Sequence, residues 1–515
     1  MCGFFAYKGK KNLNNLPEAL ERRVKFRGPD YQSGVIDFAG WKLYHCRLTI
    51  LSDSTSANQP FFNDDGAVLL FNGEILNFNE LAKKYDIGEN FKSDTIVLSK
   101  LLALKDFSIS ELDGFFAFLR IDSAGNLTHA ARDSFGVKPL NIYRNSDEIC
   151  LSSEASIISD LFDLPLNEEA LIEYEVFRAP LFSESYFYDV FTVTPGSCYI
   201  TGKFFDARKL LNSTEKYVHN SEVLRTQIKS SVESRLISDF PVALLYSGGI
   251  DSNLIRANMS CDTQLICGGL VGGSYDVKFA KEQKDLGANV HIIEIDHAKF
   301  VERWEEMVKL RKEPLSVPNE VIISFLGEYW AEMGGKVLLS GEGADEFFGG
   351  YDRLFRWAND PTSFSTEEFL KQYAYQDFNK ISESVIRKVE NYFSELSSFT
   401  KFQKVQIFFI EKHLPLLFRR LDFALMFSGI EGREPLASLG MFRLAASYYP
   451  SELVDQNIGK LPLRKVLSED LGDEFAYRSK VGFPIDIKLV ITGDVAQSQL
   501  ENYTYWINHN KEKLI

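Results

Sequence analysis

Pro241-Val242-Ala243-Leu244-Leu245-Tyr246-Ser247-Gly248-Gly249-Ile250-Asp251-Ser252 is the stretch on which the reading of this 515-residue chain turns. A short apolar run of strand type breaks at Ser-Gly-Gly and resumes as a helix around Ser252–Arg256. A strand that turns through glycines into a helix N-terminus aims several backbone N–H groups at one spot. The unpaired donors and the helix dipole there favour an anion such as a phosphate. Gly248 and Gly249 allow close backbone approach, Ser247 and Ser252 add hydroxyls, and Asp251 is placed to hold a Mg²⁺ that bridges phosphates. The spacing differs from the Walker pattern Gly-x-x-x-x-Gly-Lys-Ser.

The surroundings extend this motif into a domain. Helical patterning from Ser221 (Val223, Leu224, Ile228, Val232, Leu236) leads into the central strand. Gln264–Leu270 reads as a strand with a glycine-rich end at Gly268-Gly269. Asp276–Leu286 follows as a polar helix and Val290–Ile295 as a further strand. Alternating strands and helices predict an α/β domain, a doubly wound parallel sheet with ligands at the carboxyl ends of its strands. The strand Lys336–Leu339 then delivers Ser340-Gly341-Glu342-Gly343-Ala344-Asp345-Glu346-Phe347-Phe348-Gly349-Gly350-Tyr351, a second glycine-bearing turn loaded with carboxylates. Asp345 can join Asp251 on Mg²⁺. Glu342 reads as a base for an incoming amine, since burial among acids raises a carboxyl pKa. A surface acidic loop has the same composition.

At the other end of the chain, removal of Met1 would leave Cys2 first, with a thiol and an α-amino group on one residue. That amine, with an ordinary pKa near ~8, can act as base for its own nucleophile. Strand-type segments (Phe4–Tyr7, Leu43–Leu48, Val68–Phe71, Ala117–Ile121, Cys150–Ser152) alternate with polar helical stretches such as Leu16–Lys25 and Asp94–Leu104. An α+β domain of layered sheets over roughly the first 200 residues follows. Asn72-Gly73 alone also suits a hairpin turn.

Arg27-Gly28-Pro29-Asp30, His45-Cys46-Arg47-Leu48-Thr49-Ile50, Asn58-Gln59-Pro60, Phe71-Asn72-Gly73-Glu74-Ile75 and Ser93-Asp94 together resemble the class II glutamine amidotransferase domain. That family is an N-terminal-nucleophile (Ntn) hydrolase with four αββα layers. The resemblance implies that Cys2 attacks the glutamine side-chain amide and releases ammonia. Asn72 and Gly73 would form the oxyanion hole, and Arg47 would clamp the α-carboxylate. Glu74 and Asp94 would face the substrate's amino group, and the Ile50 backbone would complete the slot. Phe26 and Lys92 depart from the family's usual His and Gly without removing a catalytic group. Leu112–Phe118 and Arg132–Leu140 also resemble this family and are assigned to folding, and Ser153-Glu154 to the contact with the second domain.

Ser247-Gly248-Gly249-x-Asp251-Ser252 resembles the PP-loop of ATP pyrophosphatases, and the Ser340–Tyr351 stretch resembles the asparagine synthetase family. Glu431-Gly432-Arg433 and Gly459-Lys460 fall in that family's order, and Arg478-Ser479-Lys480-Val481-Gly482-Phe483 resembles its late lysine motif. ATP is implied to lie along Leu245, Ser247, Gly248, Gly249, Asp251, Ser252, Gly268, Ser340, Gly341 and Lys480, with Lys480 neutralising phosphate charge. The expected organisation is a glutaminase domain over residues 1–203, a linker over 204–216 and a synthetase domain over 217–515. Glutamine-derived ammonia would displace AMP from an adenylated acceptor carboxylate, with aspartate as the default acceptor. Two departures leave the acceptor open: Glu434-Pro435-Leu436-Ala437-Ser438 lacks the family's Asp at Ser438, and Val317 stands where an acid is frequent. A sugar acid or specialised-metabolite carboxylate is the alternative. Relatives that close β-lactam rings are disfavoured by Cys2 and Glu342, and a silent regulatory protein by the intact motifs.

The net charge of −15, from 57 basic and 72 acidic residues, argues against nucleic-acid or anionic-membrane partners. Six cysteines without paired spacing and no signal peptide predict reduced thiols in the cytoplasm. No apolar run is long enough to span a bilayer. The seven histidines show no metal-ligand spacing, and His45, His129 and His291 read as structural. Relatives often pair as homodimers, which these residues do not decide.

Overall fold

The computed structural model describes residues 2–51, 55–89, 91–272, 274–478 and 485–514. In the N-terminal half, β1 (Cys2–Lys8), β2 (Trp41–Arg47), β3 (Val68–Ile75), β4 (Gly114–Ile121) and β5 (Ile149–Ser152) are the strands nearest the candidate site. β1 lies between β5 and β2 in a seven-stranded sheet and is antiparallel to both. β3 and β4 pair antiparallel in a six-stranded sheet.

Period-two alternation sorts the side chains into layers. Phe4 and Ala6 of β1 meet Leu70 of β3 and Ala117 and Leu119 of β4 between the sheets. Phe5 and Tyr7 face the outer helices Leu16–Arg23 and Ala155–Phe162. On the far side, Leu69 and Phe71 pack against Phe78–Lys84 and Asp94–Leu101. The expected αββα order is present. Asn72 and Gly73 lie inside β3, opposite Ala117 and Phe116, rather than in a hairpin turn.

The helix α1 (Glu168–Phe177) leads out of this half. Residues 204–216, expected as a linker, contain the helix Ala207–Ser213, in which Ala207 and Leu211 are buried and Arg208 is paired with Glu411. In the C-terminal half β6 (Val242–Leu245), β7 (Gln264–Leu270), β8 (Val290–Ile295), β9 (Val337–Leu339) and β10 (Glu431–Arg433) form one parallel sheet in the order β8-β7-β6-β9-β10. Leu244 and Leu339 pack on one face, Ala243, Ile266 and Leu338 on the other, so both faces are covered. The chain runs outward from β6 in one direction and resumes at β9 on its other side. This topological switch opens a crevice at the carboxyl ends of β6 and β9. Between β9 and β10 lies a helical block ending in α2 (Leu414–Met426), entered through a π-helical turn at Phe409–His413.

The halves are tied by a buried ion network. Arg27, fully buried, donates from Nε to Cys2 O (3.1 Å), from Nη1 to Glu154 (2.7 Å) and from Nη2 to Asp422 of α2 (2.8 Å). Lys138 Nζ lies 3.4 Å from the other Asp422 oxygen. Glu154 therefore belongs to the contact between the halves. Burial works against the Arg27 charge, but Asp422 and then Glu154 raise its pKa above the ordinary arginine value. Arg27→Met would take its cation from buried Glu154 and leave Asp422 with Lys138 alone, and is expected to cost about 3–5 kcal/mol. A urea midpoint unchanged from wild type would show that the network contributes nothing.

Candidate active sites

β1 and β2 set Cys2 opposite Arg47, and β3 brings Asn72 beneath them. Cys2, Arg47, Ile50, Gly73, Glu74 and Asp94 line one cavity of about 30 Å³. Asn72 Oδ1 accepts from Cys2 N at 2.9 Å, while its buried Nδ2 has no hydrogen-bond partner among the described residues. An amide donor buried without a partner is costly unless an incoming oxygen satisfies it. Gly73 adopts φ +139°, and a Cβ there would lie 2.0 Å from Phe115 O, so the close crossing with β4 requires glycine. Arg47 is braced by Asn58 Oδ1 (2.9 Å) and Leu51 O (3.1 Å). The Ile50 carbonyl accepts from Asp239 N of the other half.

The electrostatics are those of a cation site. Burial pushes the Cys2 thiol up. Burial, then Asp94 and Glu431, push Glu74 well above the ordinary carboxylate range, and burial pushes Asp94 to about 6. Asp94 accepts from Ile75 N (3.0 Å) and Thr95 N (2.7 Å), which fixes its orientation. Arg433 of β10 lies 3.8 Å from Glu74 and 2.5 Å from Glu431, so the last strand of the second sheet abuts this pocket.

The crevice at β6 and β9 is a cavity of about 390 Å³. Leu245, Ser247, Gly249, Asp251, Ser252, Gly268, Ser340, Gly341, Glu342 and Asp345 line it. Gly248 does not line it; its carbonyl accepts from Arg478 Nη1 at 2.8 Å. Lys480 lies outside the described residues. Lys460, a residue without an expected role, donates to both oxygens of Asp251 at 2.7 Å and stands 2.7 Å from Asp345. A Cβ on Gly350 would lie 1.8 Å from Asp345 Oδ1 and 2.2 Å from Lys460 Cε, so this glycine makes room for the pair. The only sequence signal for Lys460 is the Gly459-Lys460 dipeptide in family order.

Three expectations change. Glu342 is paired with Arg420 Nη2 at 3.1 Å rather than crowded only by acids. Glu346 of the same stretch is pushed by burial and then by Asp345 to about 8, and it accepts from Tyr351 OH at 2.5 Å. Ser438 is no part of the large cavity: buried, it accepts from Met441 N at 3.2 Å and caps the helix Leu439–Ser447. Its hydroxyl does there the capping work that an Asp also does. Val317, with Ser316 and Asn319, does line the cavity. Among the described residues no group of three or more His, Cys, Asp or Glu could hold a metal ion. Two carboxylates sharing a cation do fit a Mg²⁺ completed by phosphate oxygens and water.

The family model for asparagine synthase matches residues 223–505, and that for the glutamine amidotransferase domain residues 1–213. The chain is similar to glutamine-hydrolysing asparagine synthetase 1 of Bacillus subtilis, with 28% identity over 95% of this chain and 87% of the relative. It is 31% identical to the glutamine-hydrolysing asparagine synthetase of Asparagus officinalis over 68% of this chain and 60% of that one. The corresponding protein of Sandersonia aurantiaca is 31% identical over 68% and 67%.

The raised Asp94 pKa gives a pH prediction with a definite sign. Below about 6 Asp94 takes up a proton, and a ligand ammonium placed against it would bind only the ionised form. The KM for glutamine should therefore rise as pH falls through about 6, approaching roughly tenfold per unit. Glutaminase kinetics between pH 5 and 8 decide this, and a flat KM removes the role.

Proposed function

The chain belongs to the asparagine synthase family, and from that membership we propose that it makes an amide from glutamine, ATP and an acceptor carboxylate, converting aspartate to asparagine. One observation carries the reading: two differently equipped sites abut neighbouring strands of one sheet. Arg433 of β10 reaches Glu74 in the small cavity, and the adjacent β9 ends in Ser340-Gly341-Glu342 in the large one.

In the small site, with Met1 removed, the Cys2 amine is held by Asn72 Oδ1 and takes the thiol proton. The thiolate attacks the glutamine amide carbon. The unpartnered Asn72 Nδ2 and the Gly73 N–H stabilise the oxyanion, ammonia leaves, and water hydrolyses the thioester. Arg47 binds the α-carboxylate, and Glu74 and Asp94 bind the α-ammonium beside Ile50.

In the large site, an acceptor carboxylate oxygen attacks the α-phosphorus of ATP and pyrophosphate leaves. Ammonia then attacks the acyl carbon and AMP leaves. The loop from Ser247 to Ser252, with Leu245, Gly268, Ser340 and Gly341, holds the nucleotide. Asp251 and Asp345 would hold Mg²⁺, which when bound offsets phosphate charge. Lys460 would then release the two carboxylates and turn toward the phosphates, with Lys480 as a further cation. Glu342 would accept a proton from the attacking ammonia, its position held by Arg420. Residues 1–203 form the glutaminase unit and 217–515 the synthetase unit. All six cysteines are free thiols, as suits a cytoplasmic enzyme. No helix among the described residues is long and apolar enough to cross a membrane. Val317 in the large cavity favours a second reading, the same chemistry on a sugar acid or specialised-metabolite carboxylate.

Pyrophosphate and asparagine release, followed with ATP, Mg²⁺ and glutamine, should be equimolar and depend on aspartate. Glutamine hydrolysis without aspartate-driven pyrophosphate would move the acceptor to another carboxylate. Cys2→Ala should abolish glutamine-driven synthesis and keep synthesis from ammonium chloride. Lys460→Ala should lower the rate of pyrophosphate release by roughly 100-fold or more, whereas a change below threefold would remove it from the chemistry.

A further inference from the structure

α1 ends at Arg178, whose φ of 61° and ψ of 21° place it in the left-handed region. Glycine is the usual occupant of such a helix end, because a Cβ is strained there. Here an arginine takes the position and, with Phe177, lines the large cavity. A residue from the amidotransferase half thus enters the synthetase site.

Arg178 is 8% exposed, its guanidinium carbon lying 3.2 Å from the Tyr375 ring centroid and 4.7 Å from that of Tyr503. Its Nε is buried without a hydrogen-bond partner, and among the described residues no carboxylate or carbonyl bonds its guanidinium. The contrast within the molecule is direct. Buried or half-buried Arg27, Arg311, Arg420 and Arg433 each meet a carboxylate. A desolvated cation held only by ring faces is unfavourable until an anion arrives. His413 lines the same end of the cavity, bonded through Nε2 to Tyr351 OH and through Nδ1 to Tyr373 OH. Burial, then Arg420 and Arg178, hold it neutral, with a pKa near 3, so it adds no competing charge.

Resting on the proposed amide synthesis, we propose that Arg178 binds a second carboxylate of the acceptor, so that the acceptor is a dicarboxylate activated at the end remote from this arginine. A guanidinium whose carbon sits 3.2 Å from the Tyr375 ring centroid has N–H groups left for a two-pronged contact, which a carboxylate matches. Aspartate is a small acceptor of this class, with its α-carboxylate on Arg178 and its β-carboxylate toward Lys460. Val317, Leu416 and Leu417 add apolar surface to the same cavity.

Succinate and butyrate share a four-carbon chain and differ in the second carboxylate, so calorimetric titration of the full-length protein with each isolates the contact. Wild type should bind succinate roughly 10- to 100-fold more tightly than butyrate. Arg178→Gln should erase the difference and Arg178→Lys should keep part of it, with circular dichroism reporting the fold. Wild type treating the two alike, or Arg178→Gln keeping the preference, overturns the proposal. The aspartate assignment is tested separately by turnover on ammonium chloride. Succinate preference through Arg178 without aspartate-driven pyrophosphate sinks aspartate and leaves the dicarboxylate class. Aspartate turnover with a KM unchanged in Arg178→Gln sinks the arginine contact and leaves aspartate.

Discussion

Arg27 is the point through which the two halves are held in register. One planar side chain bonds the Cys2 backbone, Glu154 at the end of the first sheet, and Asp422 on the helix beneath the second. A guanidinium suits this junction because its donors diverge in one plane, so three acceptors from distant parts of the chain satisfy it at once. Full burial makes the arrangement all-or-none: removing any partner leaves a charge in a dry interior. The carbonyl of Cys2 and the second half of the chain are thereby fixed to the same group.

The two cavities use charge in opposite ways. The small one gathers carboxylates whose protons are held by burial and mutual repulsion, and is balanced through Arg433 from the second sheet. The large one stores its negative charge around Lys460, bonded to two aspartates at 2.7 Å. An internal lysine keeps Asp251 and Asp345 oriented. Beyond it, the carboxyl of Glu346 and the Tyr351–His413–Tyr373 chain rigidify the π-helical turn at Phe409–His413. That turn places His413 in the cavity wall.

Much of this was legible in the residues. Gln264–Leu270 and Val290–Ile295 have the bounds read from their pattern, because both are short β-branched and apolar segments bounded by turns. The glycine-bearing turns after β6 and β9 were equally plain, since a close backbone approach admits few other residues. Cys2, Arg47, Asn72, Glu74 and Asp94 were named as one constellation and meet in one place. Less legible was the helical block between β9 and β10, rich in phenylalanine on every face, where period gives little orientation. The absence of an Asp at Ser438 bears on helix capping rather than on the large cavity, because its hydroxyl caps the helix Leu439–Ser447 and does not line that cavity.

The sequence by itself determined the local chemistry: which residues can be nucleophile, oxyanion donor or phosphate loop, and which segments must be strands. These depend on side-chain type and on spacing within a few residues. Only the tertiary structure decided which charges meet. Lys460 stands 209 positions from Asp251, and Arg27 stands 395 from Asp422. Arg178 enters a cavity built mainly by the other half of the chain. Coulomb and hydrogen-bond energies depend on separation in space and on burial, and neither is written in the spacing along the chain.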